Sequence, residues 1–510
     1  MPTFGFAIDL RKCIGCHACT IACKAEHDIP VGVNRCWVKT VEEGEFPATR
    51  RLFFPALCNQ CDNAPCATIC PTGALFRRPD GIVDLRGDSC IGCRACMAAC
   101  PYDQLFIDPN TRTAEKCNFC ANRLDNGLLP ACVIVCPTEC RTLADLDDPA
   151  SEVSRISRRE GTAVRKPEKG TLPKVFYLGA EASVLVPEVA ARPFMFKEGR
   201  VRRRPLASPS PDPMRPGDAR VDYDAPHERA WGLDMAVYLL TKGVSTGAML
   251  LSALLWIFGV RTPLTTLVGP GIALVFAVLT AVVLVLDLER PARFSYIVVR
   301  SNRRSWIVWG AYWLTAHGVV AGAWVAANWL GLGTFVAWLA GPAVVVSVVA
   351  TSYTGFLFAQ GLARDLWQGP RAVLNLLAQA VAEGSAAMLL VEVLRSLVTG
   401  TATPSPALEW ALLGSLVVHL GLLWGEVLLA PGATRHRVLA VSAIRRGPFA
   451  RLFWGGALTG SALAVLAIAV DVAAPGSGGW LLPFGSVGAL VGGFTWEYIW
   501  VEAGQSVPLS

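Results

Sequence analysis

Hydrophobic and polar positions fall into two regimes that meet near residue 230. Before that point, apolar residues come in short runs broken by charges, Pro and Gly, which predicts a soluble domain of short strands and helices. After Trp231 the apolar runs become long enough for helices to cross a hydrocarbon layer of about 30 Å. The pattern predicts eight membrane helices, over 233–258, 268–288, 306–330, 335–362, 372–397, 407–430, 450–472 and 480–502. The connections near Gly331 and Gly478 are very short and predict tight helical hairpins. Between the regimes, 181–230 reads as a linker. It holds eight prolines from Pro187 to Pro226 and the basic run Arg200, Arg202, Arg203 and Arg204, a composition that favours extended spacing over a packed core. The expected organisation is a soluble domain at 1–180, a Pro/Arg-rich linker at 181–230 and a membrane domain at 231–510.

With 53% hydrophobic and 17% charged residues over 510 positions, the chain is neither disordered nor an ordinary soluble enzyme. The net charge of +6 does not point to nucleic acid, because its Arg residues cluster beside the apolar runs and read as membrane topology. All 18 Cys lie between Cys13 and Cys140. A disulfide scaffold is the alternative reading of that density. No secretory signal precedes the cysteines, however, and their spacings are those of metal ligands.

Cys13, Cys16, Cys19 and Cys23 have the spacing C-x2-C-x2-C-x3-C, and Cys90, Cys93, Cys96 and Cys100 repeat it. Cys58, Cys61, Cys66 and Cys70 are spaced C-x2-C-x4-C-x3-C. Cys117, Cys120, Cys132 and Cys136 carry a longer insertion, C-x2-C-x11-C-x3-C. These sixteen thiols predict four [4Fe–4S] clusters, because a cubane takes four thiolates and in ferredoxin runs the fourth Cys reaches the neighbouring cluster. Pro71, Pro101 and Pro137 follow the fourth Cys of three sets, while Lys24 stands there in the first. Zinc is the rival metal, since C-x2-C pairs also build zinc ribbons, but the C-x3-C closure of every set argues against it. Cys36 and Cys140 are left over as non-ligating thiols.

The runs CIGCHACTIAC, CNQCDNAPCATICPTGAL, CIGCRACMAACPY and KCNFCANRLDNGLLPACVIVCP resemble the four-cluster electron-transfer subunit of the DMSO reductase (molybdopterin oxidoreductase) family. The run WGLDMAVYLLTKGVSTGAMLL, and DLERPARF followed by SW, resemble the polysulfide reductase/DMSO reductase membrane anchor. The resemblance implies an α+β, tandem ferredoxin-like domain fused to an all-α bundle of eight transmembrane helices, in which set one pairs with set four and set two with set three. One cluster would then take Cys13, Cys16, Cys19 and Cys136, and the second Cys117, Cys120, Cys132 and Cys23. The third would take Cys58, Cys61, Cys66 and Cys100, and the fourth Cys90, Cys93, Cys96 and Cys70. It also implies a molybdopterin-containing catalytic partner, membrane quinone (ubiquinone or menaquinone) and no haem. Substrate chemistry would sit on the partner, since the family's pterin-binding domain is far larger than anything in this chain.

Arg counts set the expected topology. Twelve Arg lie in the connections after the second, fourth and sixth spans, against Arg261 and Arg395 on the opposite side. This bias places both termini and the cysteine domain on the cytoplasmic face of the inner membrane. The start, MPTFGFAIDLRKC, shows neither a secretory nor a twin-Arg segment. Charges inside spans cost about 2.5–3.5 kcal/mol each at mid-helix, so they pair, line water or serve function. Asp234, Tyr238 and Lys242 fall on one helical stripe under the cysteine domain and are the candidate quinone site. Asp287, Glu289, Arg293, Glu426, Glu497 and Glu502 map to the same membrane face as ion-pair candidates. His317, Glu383 and His419 map to mid-depth, as a proton relay, as satisfied polar groups or, for the two His, as haem ligands. The expected function is electron transfer between a molybdopterin partner and quinone, with sulfite oxidation in the cytoplasm as one type. Polysulfide, thiosulfate or DMSO reduction and formate oxidation are alternatives, as are a redox-driven ion pump and a ferredoxin on a passive anchor.

Overall fold

The computed structural model describes residues 2–190, 196–197, 200–201, 219–399, 405–429, 432, 434–474 and 480–510. The connection around Gly478 and most of the Pro/Arg-rich stretch, including Arg202, Arg203 and Arg204, lie outside these residues.

The N-terminal half is α+β, with short strands and single-turn helices around the cysteines. Phe4–Asp9, with its apolar centre fully buried, pairs in parallel with Val175–Leu178 and antiparallel with Arg141–Asp145; Thr162–Ala163 completes that sheet. Cys36–Glu43 and Arg50–Leu57 form a long antiparallel pair with Cys36 opposite Leu57 and Glu43 opposite Arg50. Arg220–Tyr223 adds a third strand to this pair. The stretch read as linker is therefore not a spacer throughout. Alternation at Val221 and Tyr223 recruits its end into the sheet, where buried Asp224 accepts a 2.8 Å hydrogen bond from Trp37 Nε1.

The C-terminal half is helical. Among the described residues, six helices are long and apolar enough to cross a membrane, where eight were expected: Leu233–Ile257, Leu264–Leu286, Gly333–Gln360, Ala372–Val398, Pro406–Leu429 and Leu452–Ala473. Trp306–Trp329 and Leu481–Gly504 are of comparable length but fall outside that set of six. The first carries five Trp and His317, and the second carries Glu497, Glu502 and five Gly. A tight turn at Gly331, with φ +72°, joins two of the helices. Helix–helix packing is closest where Gly247 of Leu233–Ile257 meets Gly384 of the Ala372 helix. A Cβ on Gly247 would lie 1.7 Å from Ala380 O, so only Gly permits the approach, as in other small-residue membrane interfaces.

Candidate metal centres and membrane site

The four cysteine sets share one local device. The residue before the second Cys of each set is left-handed: Gly15 (φ 69°), Gln60 (φ 44°), Gly92 (φ 71°) and Phe119 (φ 55°). Each reversal curls the backbone so that successive thiols turn toward one interior point. The third and fourth Cys then bracket or lie within a short helix, at Ala18–Glu26, Pro65–Ile69, Ala95–Ala99 and Ala131–Ile134. The set-one helix packs on the set-four helix, and the set-two helix on the set-three helix.

This packing gathers the thiols. Cys13, Cys16, Cys19 and Cys136 line one cavity, together with Cys140. Cys70, Cys90, Cys93 and Cys96 line another. Cys23 lies in the field of Cys132 and Cys120, and burial together with those thiols pushes its pKa up to about 12; Cys117 lies in the field of Cys23, Cys58 and Cys132. Cys66 lies beside Cys100, Cys58 and Cys61. All 18 Cys are free thiols, so no disulfide scaffold exists. Two of the four quartets thus line a cavity, the kind of arrangement in which one group can be shared by four thiolates. Cys36 faces Arg141, and Cys140 lies 3.7 Å from Cys136. Cys16 is exposed and most of the other thiols are buried.

Two buried cations stand among the thiols. Lys116 Nζ donates to Val83 O and, at 3.0 Å, to Cys117 O. Burial opposes its charge, but the thiols of Cys58, Cys66 and Cys117 outweigh burial and hold its pKa above the ordinary lysine value. Arg141 shows the same balance: burial opposes the charge, and Cys36, Cys19 and Cys132 more than offset it. The Nε and Nη1 atoms of Arg141 are buried without a hydrogen-bond partner, and the side chain lines the set-one cavity. Orphaned donors of this kind are costly unless an acceptor faces them, and the sulfurs of a cluster are suitable acceptors.

The set-three loop sits directly on the helical half. Arg94 Nη2 donates to Asp287 O at 2.9 Å and ion-pairs with its carboxylate. Arg293 Nη1 donates to Gly87 O (2.8 Å) and Cys90 O (2.9 Å). Asn302 Nδ2 donates to Cys70 O at 2.8 Å. These contacts come from the DLERPARF segment and the turn after it. Trp231 Nε1 lies 3.4 Å from Cys93 O, and the Trp231 ring packs 5.6 Å from Trp367, which packs 6.2 Å from Trp500. Trp500 and Trp496 wall a small cavity that also contains Asn375, Gln379, Glu426 and Glu497.

Within the bundle, the structure separates the expected stripe. Asp234 is exposed at the helix start, while Tyr238 and Lys242 are buried. Tyr238 hydrogen-bonds Tyr353 and, at 2.9 Å, Thr354; Lys242 Nζ donates to Thr354 Oγ1 at 2.6 Å. Glu497 and Glu383 are the carboxylates whose charges reach Lys242, at longer range than an ion pair and with both Glu383 oxygens lacking a hydrogen-bond partner, whereas Asp287 is committed to Arg94. Sequence reasoning located both Glu but not their convergence. The signal it lacked was the pair of glycines that make room for Glu383: a Cβ on Gly243 would lie 1.8 Å, and one on Gly493 3.1 Å, from its carboxylate oxygens. Both ring nitrogens of His317 are engaged, by Ser245 (3.0 Å) and Ser347 (3.3 Å). His419 Nδ1 is 2.7 Å from Asn375 Oδ1.

Thiol quartets seated on an apolar helical bundle define an iron–sulfur electron-transfer protein built onto its own membrane domain. Comparison with known proteins agrees: residues 224–508 match the family model "Polysulphide reductase, NrfD", and residues 49–146 match "4Fe-4S dicluster domain". The protein belongs to the NrfD polysulphide reductase family and carries an iron–sulfur domain fused at its N-terminal side. That domain is 44% identical over 201 residues to a tetrathionate reductase subunit of Salmonella typhimurium, covering 38% of this chain and 80% of the relative. It is 47% identical over 176 residues to protein NrfC of Escherichia coli (34% and 79%). It is 37% identical over 222 residues to the arsenate respiratory reductase iron-sulfur subunit ArrB of a Shewanella strain (34% and 95%).

Proposed function

We propose that this chain carries electrons between membrane quinone and a molybdopterin-containing catalytic partner, through four [4Fe–4S] clusters held by the sixteen cysteines in the quartets given above. The carrying observation is the gathering of all four quartets by paired helices, with one quartet fastened to the helical half. Each cluster, when bound, supplies a one-electron step; the chain's residues set where electrons enter and leave.

The partner would dock at the set-one end, where Cys16 is exposed and the paired set-one and set-four segments leave Ile14, Ile21 and Ile134 exposed. Quinone would be served at the cavity walled by Trp496 and Trp500, with Glu497 as its proton relay and Lys242 and Tyr238 behind it. The tryptophans from Trp231 to Trp500 support this placement, because they join the Cys93 loop to that cavity. Asp234 lies outside the enclosure and would at most mark its mouth. Eight spans are supported by the comparable length of the two further helices, Trp306–Trp329 and Leu481–Gly504, beside the six apolar ones. A cytoplasmic placement of the iron–sulfur domain is supported by exposed Arg303, Arg304, Arg446 and Arg451, which keep the charge bias apart from the Arg residues occupied in docking. The reductase names of the relatives favour delivery of electrons from quinol to the partner over the sulfite-oxidising direction. Anaerobic purification of the full chain, with iron analysis and quinone-driven reoxidation of its clusters, tests this reading.

A further inference from the structure

A [4Fe–4S] cluster gains one negative charge on reduction. Its potential therefore follows the fixed charges and N–H donors around it, and a cation in a low-dielectric site favours the reduced form. Arg141 and Lys116 are buried cations; among the described residues neither forms an ion pair, and the carboxylate whose charge reaches Lys116, Asp84, is itself 3.8 Å from Arg78. Arg35 is also close to the thiols, but its charge is met by Glu115 at 2.7 Å.

Their placement is specific. Arg141 lies against the cavity of Cys13, Cys16, Cys19 and Cys136, with two N–H groups unpartnered, and its charge also reaches Cys132 of the neighbouring quartet. Lys116 precedes Cys117 and points its ammonium back to that residue's carbonyl, between Cys117 and the quartet of Cys58 and Cys66. Each cation thus stands at a junction between two quartets. The quartet of Cys23, Cys117, Cys120 and Cys132 is common to both junctions.

We propose that Arg141 and Lys116 are potential-setting residues of the wire: Arg141 raises the reduction potentials of the first and second clusters, and Lys116 those of the second and third. This rests on the quartets assigned above. Neither cation touches Cys70, Cys90, Cys93 or Cys96, so the membrane-side cluster is not their target.

The test is an EPR-monitored redox titration of the purified full chain, comparing wild type with Lys116→Gln and Arg141→Gln, and with the charge-keeping Lys116→Arg and Arg141→Lys. Iron content is measured on every sample. The glutamine variants should keep wild-type iron and shift two cluster signals each to more negative potential. The second cluster should be the shared one, the membrane-side cluster should stay fixed, and the charge-keeping variants should return toward wild type. Unmoved potentials with full iron would overturn the inference while leaving the cluster assignment standing. Loss of iron in the glutamine variants alone would also overturn it, by making the cations assembly elements. An iron content far from sixteen in the wild type would instead defeat the assignment beneath it.

Discussion

The Glu289 side chain occupies the space in which any residue other than glycine at position 92 would carry its Cβ: a Cβ there would lie 2.4 Å from Glu289 Cβ. Glu289 N also donates to Gly92 O at 3.4 Å. Gly92 thereby meets two demands. Its φ of +71° turns the set-three cysteines inward, and its bare Cα lets the helical half approach that loop.

Gly92→Ala should therefore loosen the junction without emptying the clusters. The left-handed conformation alone costs about 1–2 kcal/mol for a residue with a Cβ, and the contact with Glu289 adds to it. The expected outcome is near-normal iron, slower quinone-linked oxidation of the clusters, and easier proteolysis between the two halves. Gly73→Ala, whose Cβ meets nothing within 4 Å, is the control for left-handed strain alone.

Iron content checks the quartets. The full chain should hold about sixteen Fe, with Cys36→Ser and Cys140→Ser leaving it unchanged, because neither thiol is needed to complete a quartet. Anaerobic colorimetric iron analysis reads this directly; about eight Fe, or tightly bound zinc, would contradict it.

The fused two-part organisation and the four cysteine sets were legible in the sequence. The C-x2-C runs fix local turns, and long apolar runs fix helices, whatever the tertiary context. Three features were not legible. The strand Arg220–Tyr223 was hidden inside a proline-rich composition. The separation of Asp234 from Tyr238 and Lys242 was hidden because a shared helical stripe does not say how far along it burial begins. The meeting of the three helices that carry Lys242, Glu383 and Glu497 takes place at glycines, which no local period encodes.

That meeting sets the next expectation. Lys242→Met should lower quinone turnover strongly and leave the clusters assembled. Lys242 is buried and donates to Thr354 Oγ1, and a lost hydrogen bond to a charged group costs about 1.5–3 kcal/mol, so insertion is checked first by yield and thermal unfolding. Tyr238→Phe should cost only about 1 kcal/mol, the worth of a hydrogen bond, with a smaller loss of turnover. Glu497→Gln, which keeps the shape of the cavity wall, should resemble Lys242→Met in turnover. Normal rates in all three would move the quinone site elsewhere.

Sidedness is checked with a membrane-impermeant thiol reagent on the variant Ser208→Cys. It should label in inverted vesicles and stay unlabelled in intact cells. Labelling from outside would place the iron–sulfur domain on the opposite face.

The most direct test is rapid mixing of the dithionite-reduced full chain, in liposomes, with ubiquinone or menaquinone, followed by the EPR signals of the clusters. The account predicts that quinone reoxidises the clusters, and that Lys242→Met and Gly92→Ala slow this step while their iron content stays intact. Clusters that remain reduced in the presence of either quinone, yet are oxidised at once by ferricyanide, would show a passive anchor and contradict it.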